Sequence, residues 1–325
     1  MRAKMEKGPS DAIAGSRPRV ATATVLKTTP EQTFQFVSYH RHLGVDEIIL
    51  FFDDPTDVAA DALDGVEGVT VFRCDAAHWS GVGPKGERPA RVPPRQTANA
   101  DWLLRTRSED LDWIIFIDSD ELVYAPDGLH ESIARESEGL TVLQLRVLEA
   151  IPPNPNISRP FQDVSLFRVH NRKKYRKAKR LHLTTGFSKV EPRRFFRGHV
   201  SGKAIVKPNG VVRRMGIHRP REVDEERFRR EPSGSMWVLH FDAASFDDWK
   251  RKWRGRSEFV GHGYSDRQYQ WDEFVRLDEQ QDDDGLLELY TKLYMLPKRE
   301  IPFLRMLGMV RKIKLDPSWF GWSPT

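Results

Sequence analysis

Three carboxylates, Asp118, Asp120 and Glu121, lie within four positions in the segment WIIFIDSDELVY, directly after five apolar residues. Side chains two residues apart in an extended chain point the same way, so Asp118 and Asp120 can converge on one object. Two carboxylates held together beside a buried strand are costly unless a positive charge joins them. A hard divalent cation meets that need, because carboxylate oxygens suit Mg2+ or Mn2+. The other reading of the same residues is a solvated turn with capping acids. A second pair, Asp53 and Asp54, ends the apolar run IILFF. An acid in that place can hydrogen-bond a ribose or a base, although Asp54, standing before Pro55, can equally open a turn.

The elements that must position these groups alternate along the first half of the chain. RVATATVLK reads as a strand by its β-branched residues. In TTPEQTFQFVSYHRHLG, Thr29 can cap a helix and Pro30 suits its first turn. Phe36, Tyr39 and Leu43 then recur at helical spacing before Gly44 closes it. VDEIILFFDD is a continuous apolar strand of the kind covered on both faces. TDVAADALDG reads as a helix, VTVFR as a strand, PPRQTANADWLLRTRS as a helix, and WIIFIDSDE as the next strand. GLHESIARESEG and TVLQLRVLEA add one more of each. This succession predicts an open, mostly parallel, doubly wound α/β sheet. Ligands of such sheets bind beyond the carboxyl ends of the strands, where both acid pairs stand. Downstream, FDDWKRKWRGRSEFVGHG and DGLLELYTKLYML read as helices. IPFLRMLGMVRKIK mixes apolar and basic residues at helical spacing, which fits either a core-facing helix or one lying on a membrane.

Taken in order, VLKTTPEQTFQFVSYHRHLGVDEIILFFDDPTD, RQTANADWLL, DWIIFIDSDELV, SGKAIVKP, IHRP and LHFDAASFDDWKRKWRGR resemble the bacterial family 2-like glycosyltransferases with a GT-A fold. The resemblance implies a flexible tail over 1–18, a GT-A-like domain over 19–260 and a helical C-terminal extension over 261–325. Within the domain it implies a nucleotide-sugar half (19–150) and an acceptor and metal-closing half (151–260). The implied activity moves a sugar from a nucleoside diphosphate sugar to an acceptor hydroxyl. Asp118-Ser119-Asp120 would be the DxD metal motif, with His218 of GIHRP completing the shell around Mn2+ or Mg2+. Lys27, Asp53, Asp54, Arg95, Gln96, Asn99, Asp118 and Ser119 fall where the family lines the donor. A glycan or lipid-linked acceptor is implied, in polysaccharide or glycoconjugate synthesis. The chain departs from the pattern at three places, one of them the segment after TVLQLRVLEA, which lacks the family's usual Trp and Phe-Gly features. Thr28-Thr29 follows Lys27 where the family has Asn-Glu, and the second strand ends in DDPTD rather than an Asp-Asn-Ser-x-Asp sequence.

The residues support this chemistry by themselves. Departure of a nucleoside diphosphate builds charge on the β-phosphate, which a cation held at Asp120 stabilises. An inverting hexosyl or related transfer also needs a carboxylate to take the acceptor proton. Glu149, at the carboxyl end of TVLQLRVLEA, is the candidate base, and Glu191 is its competitor. Of two downstream histidines, His218 follows Gly210 and Gly216 among basic residues, where backbone can approach a phosphate site. His240 lies in the apolar run MWVLHFD, which predicts a hydrogen-bonded core histidine.

Composition narrows the alternatives. Hydrophobic residues are 39% and charged residues 30% of 325, ordinary proportions for a globular chain. No apolar run reaches the roughly 20 residues that span a bilayer, and MRAKMEKGPSDAIAGSRPR lacks the apolar stretch of a secretory signal. A cytoplasmic protein is therefore expected, with at most peripheral contact at the inner face of the membrane. The single cysteine, Cys74, excludes an intrachain disulfide framework. Arg168 to Arg221 hold 18 Lys or Arg against one acid, Glu191, while the whole chain is only +5. That stretch predicts a phosphate-bearing or membrane-surface partner, with a solvated basic face as the alternative for a short run such as RKKYRKAKR. A nucleic-acid binder could use the same run but leaves the carboxylate strand ends without a role, so no nucleic acid is expected. A haloacid-dehalogenase-like phosphohydrolase with Asp118 as nucleophile is the enzymatic rival. Its motif continues with Thr or Val, whereas Glu121 follows here.

Overall fold

The computed structural model describes residues 17–171, 173, 195–257 and 268–322. A ten-stranded sheet forms its centre. β1 (Val20–Leu26) lies between β2 (Glu47–Phe52) and β4 (Trp113–Phe116), and β3 (Val69–Arg73) extends the sheet beyond β2, all in parallel. β8 (Lys203–Val206) is inserted antiparallel between β4 and β6 (Val142–Ile151), so β6 runs the same way as β4. β11 (Arg230–His240) lies parallel to β6, and the short β5 (Glu121–Tyr124) pairs antiparallel with β11. β7 (Leu166–Val169) and β12 (Val310–Lys312) complete the far edge, and β9 (Val212–Met215) pairs with β10 (Pro220–Val223) as a separate hairpin. One consequence governs the rest: β1 to β4, β6 and β11 all direct their carboxyl ends to a single edge.

The first strands are apolar throughout because both faces are covered. Ile48, Leu50 and Phe52 of β2 enter one core, and Ile49 and Phe51 enter the other. Between strands, α1 (Pro30–His42) begins where Thr29 accepts a hydrogen bond from the Gln32 amide, and Gly44 ends the turn at φ 87°. α2 (Val58–Leu63), capped by Asp57, and α4 (Val92–Thr106) follow the expected order. An unanticipated α3 (Ala76–Val82) stands between β3 and α4. α5 (Leu129–Glu136) and α6 (Pro160–Asp163) lie either side of β6 in the chain.

Beyond β11, α7 (Phe246–Ser257), α8 (Gln268–Glu279) and α9 (Asp283–Tyr294) share one core built on Trp249, Trp253, Phe274, Leu286 and Tyr290. The described helices after 268 therefore pack with a helix that starts at Phe246. The segment IPFLRMLGMVRKIK divides. α10 (Ile301–Met306) ends at Gly308 (φ 63°), and the remainder becomes β12 against β7. Leu304, Met309 and Val310 are buried, whereas Phe303 and Met306 are exposed. No helix among the described residues is long and apolar enough to cross a membrane.

Candidate active site

The common edge of the sheet brings together the groups that the sequence scatters. β4 delivers Asp118 just past its end, and the turn that follows returns as β5, placing Asp120 and Glu121 beside β11. His240, the last residue of β11, is in register with Glu121 on one side and Glu149 on the other. The Phe241 amide donates to the Asp120 carbonyl, at 2.8 Å, which ties the two strand ends together. Ligand atoms of Asp120, His240 and Asp242 all lie within 4.8 Å of one another, the one such three-residue group found among the described residues. Two carboxylates and an imidazole are donors that suit a divalent cation with some affinity for nitrogen, such as Mn2+.

Each carboxylate of the motif already faces a lysine. Asp118 accepts from Gln96 Nε2 and from Lys203 Nζ, each at 2.7 Å, and its own amide donates to Glu121 Oε2 at 2.9 Å. Lys252 Nζ stands 2.7 Å from Asp120 Oδ2. Although burial opposes ionisation of Asp120, the Lys252 charge and hydrogen bond, with His240 adding its charge, hold that carboxyl well below the usual range. Burial pushes Glu121 the other way, up to about 7, against the pull of Lys203. Partial burial disfavours the charged form of His240, yet Asp120, Glu121 and Asp242 raise its pKa on balance. The edge thus carries groups whose protonation is set in opposite directions within one cluster.

Two expectations change. His218 stands outside the three-residue group. Its Nδ1 lies 3.1 Å from the Gly202 carbonyl, and its ring stacks on His199 at 3.8 Å. Burial, with Lys203 and His199 nearby, lowers its pKa to about 4, so the ring is neutral. His240, expected as a core histidine, is the imidazole beside the DxD carboxylates. Glu149 is the second change. It is 1% exposed and accepts from Arg168 Nη1 at 3.0 Å, from the Arg197 amide on both oxygens, and from the Gly198 amide. A carboxylate so buried and held by three N–H donors is poorly placed to take an acceptor proton. Gly198 must be glycine here, because a Cβ would stand 2.9 Å from the His240 ring and 3.0 Å from Glu149 Oε1. Glu191, its competitor, lies outside the described residues, as does most of RKKYRKAKR.

The other expected donor residues divide into a cleft and its frame. Thr24, Phe51, Gln96, Asn99, Asp118, Lys203 and Gly216 line one cleft between β1, β4 and α4. Asn99 is buried and pairs with His78 Nε2 at 2.9 Å. Asp53 is held by Arg95 at 2.6 Å and Arg88 at 2.9 Å. Arg95 also donates to the Pro89 and Ala90 carbonyls, so it organises the loop before α4. Asp54 accepts from the Thr56 amide and hydroxyl, which is the turn-opening role. Lys27 is exposed just past β1, and Ser119 is half-buried between the two aspartates. Sequence reasoning missed Lys203, Asp242 and Lys252. Lys203 follows Gly202, whose φ of 64° and close approach to the Leu145 carbonyl set the start of β8.

Residues 30–274 match the model of glycosyltransferase family 92. The chain belongs to that family. The match supports the broader sequence reading, a glycosyltransferase, and the family is 92 rather than the family 2-like group. Family 92 coverage includes Asp53, the DxD motif, His240 and Lys252. A glycosyltransferase-like protein of Arabidopsis thaliana is 24% identical over 261 residues, 71% of this chain and 48% of that protein. The chain thus spans about half the length of the curated relative it matches. Among solved structures, Staphylococcus aureus TarS (residues 1–349) in complex with UDP-GlcNAc is 12% identical, with 89% of this chain and 86% of that one covered at a TM-score of 0.30. Glucosyl-3-phosphoglycerate synthase of Mycobacterium tuberculosis, in complex with Mn2+, UDP-glucose and phosphoglyceric acid, is 17% identical. It covers 44% of this chain and 46% of its own at a TM-score of 0.24. Both likenesses are too distant to carry an argument about this site.

Proposed function

We propose that this family 92 chain transfers a sugar from a nucleoside diphosphate sugar to an acceptor hydroxyl, with a divalent cation held by Asp120, His240 and Asp242. The observation that carries the reading is the convergence of these ligand atoms within 4.8 Å at the carboxyl edge of the sheet. A divalent cation there supplies Lewis-acid stabilisation of the departing diphosphate. The protein's own residues do the remainder. The cleft between β1 and α4 is where the nucleoside is proposed to lie, with Thr24, Phe51, Gln96 and Asn99 in its wall. Gln96 and Lys203 fix Asp118 at the junction between this cleft and the cation site, so the two parts of the donor meet a rigid carboxylate. Lys203, with its positive charge held by Asp118 and Glu121, adds a fixed cation where negative charge develops.

Glu149 is not part of this proposal as a base, because its oxygens hold the turn at Arg197 and Gly198. The acceptor is proposed to be a glycan or lipid-linked hydroxyl, in keeping with a glycosyltransferase. The phosphohydrolase alternative loses its ground in the family match, and Asp118, its nucleophile, is occupied by Gln96 and Lys203. A panel of nucleotide sugars tested by thermal shift, each with Mn2+ and with chelator, examines the proposal. Stabilisation by one nucleotide class that needs the cation is the expected result; equal stabilisation with chelator contradicts the cation's part in it.

A further inference from the structure

Lys252 is a cation at this edge to which the proposed transfer assigns no part. It projects from α7, whose backbone is fixed from beneath by Trp249, 0% exposed, and Trp253, 3% exposed. From there its ammonium reaches 2.7 Å from Asp120 Oδ2, 3.7 Å from Asp242 Oδ1 and 3.6 Å from Asp248 Oδ2. Asp120 and Asp242 are two of the three candidate ligands. Asp248, one turn earlier on the same helix, is not among them. The lysine is thus a monovalent cation shared between the metal carboxylates and a carboxylate that belongs to the helix alone.

Two carboxylates at such spacing, Asp242 buried and Asp120 partly so, repel each other, and the repulsion is costly where water is scarce. Lys252 removes that cost whenever the site has no metal. A divalent ion bound to Asp120 would face an ammonium already at hydrogen-bond distance from Oδ2. The two positive charges repel at this range, so metal entry and the Lys252–Asp120 contact oppose each other. The ammonium has somewhere to go, because Asp248 Oδ2 is already within 4 Å of it, while Arg251 pairs with the other oxygen, Oδ1.

Resting on the metal reading above, we propose that Lys252 is a built-in counter-cation that holds Asp120 and Asp242 together in the metal-free protein. It yields Asp120 to the divalent ion by withdrawing onto Asp248. Metal affinity is then set by exchange against a tethered ammonium, and the site stays assembled between metal-binding events instead of springing apart.

The test uses the full chain and Mn2+ alone as the probe, with calorimetric titration and thermal unfolding in chelator and in saturating Mn2+. Lys252→Met keeps most of the stem and removes the charge. It is expected to bind Mn2+ about tenfold more tightly than the parent, to melt lower than the parent in chelator, and to recover that difference in saturating Mn2+. Mn2+ affinity in Lys252→Met equal to or weaker than the parent's overturns the proposal while leaving the metal reading intact. Failure of both the parent and Lys252→Met to bind Mn2+ overturns both. Asp248→Asn gives an independent arm should Lys252→Met not fold. It removes the place to which Lys252 withdraws and is expected to weaken Mn2+ binding severalfold; unchanged affinity in Asp248→Asn overturns the proposal.

Discussion

His240 stands directly opposite Glu121 in the ladder that joins β11 to β5. Because Glu121 adjoins Asp120 in the chain, this one register places the imidazole beside the DxD motif. A shift of one residue would turn His240 to the other face of the sheet. The register is in turn held by the apolar pairs Val238–Val123 and Leu239–Leu122, all buried. Packing of an ordinary strand pair therefore decides the chemistry at its end.

Glu149 is expected to act on stability before activity. Glu149→Gln leaves Arg168, 0% exposed, without its charge partner and weakens the acceptors of the Arg197 and Gly198 amides. Breaking such a buried pair costs about 3–5 kcal/mol. Urea unfolding of the variant measures this. A variant as stable as the parent but with turnover abolished would return Glu149 to the role of base.

Arg95 and Asp54 are expected to separate. Arg95→Ala removes a buried partner of Asp53 and two carbonyl contacts of the loop before α4, at a cost of about 3 kcal/mol. Asp54, whose carboxylate only closes a turn on Thr56, should tolerate Asp54→Ala with an unchanged melting temperature. Thermal unfolding of the two variants side by side checks the contrast.

Acid sensitivity should be traceable to a histidine outside the candidate cation group, His40. His40 Nδ1 lies 2.9 Å from the Phe36 carbonyl and its Nε2 accepts from the Val123 amide, a pattern that fits only the neutral ring. Burial lowers its pKa to about 4. The unfolded chain takes up this proton near 6.5 and the folded protein only near 4. Stability present above 6.5 is therefore lost as pH falls through that window, by roughly 2 kcal/mol at about pH 5. Urea unfolding at neutral and mildly acidic pH should show this loss in the parent and a smaller one in His40→Gln. Equal losses in both would place the sensitivity elsewhere.

Much of the frame was legible because local signals and burial agree there. Thr29 and Pro30 opened α1 as read, and the unbroken IILFF run is a strand covered on both faces. The two histidines stand in other surroundings than expected, for a physical reason. The apolar flanks of His240 do mark a buried strand, but its last side chain comes to the strand end, where Asp120 and Asp242 stand. His218 sits among glycines and cations, yet its ring is taken by the Gly202 carbonyl and His199. Glu149 looked available because a sequence shows where a strand ends and not which amides will meet it. Lys203 and Lys252 were hidden by distance along the chain, 85 and 132 residues from the aspartates they pair with.

The central claim is that the Asp120 and His240 strand ends hold the cation on which donor binding depends. Calorimetric titration with Mn2+, followed by a nucleoside diphosphate panel with and without the ion, tests it in Asp120→Asn, His240→Ala and His218→Ala. The account predicts that the first two lose Mn2+ binding and Mn2+-dependent nucleotide binding while remaining folded, and that His218→Ala keeps both. Loss of Mn2+ by His218→Ala, with His240→Ala binding it like the parent, would contradict the account.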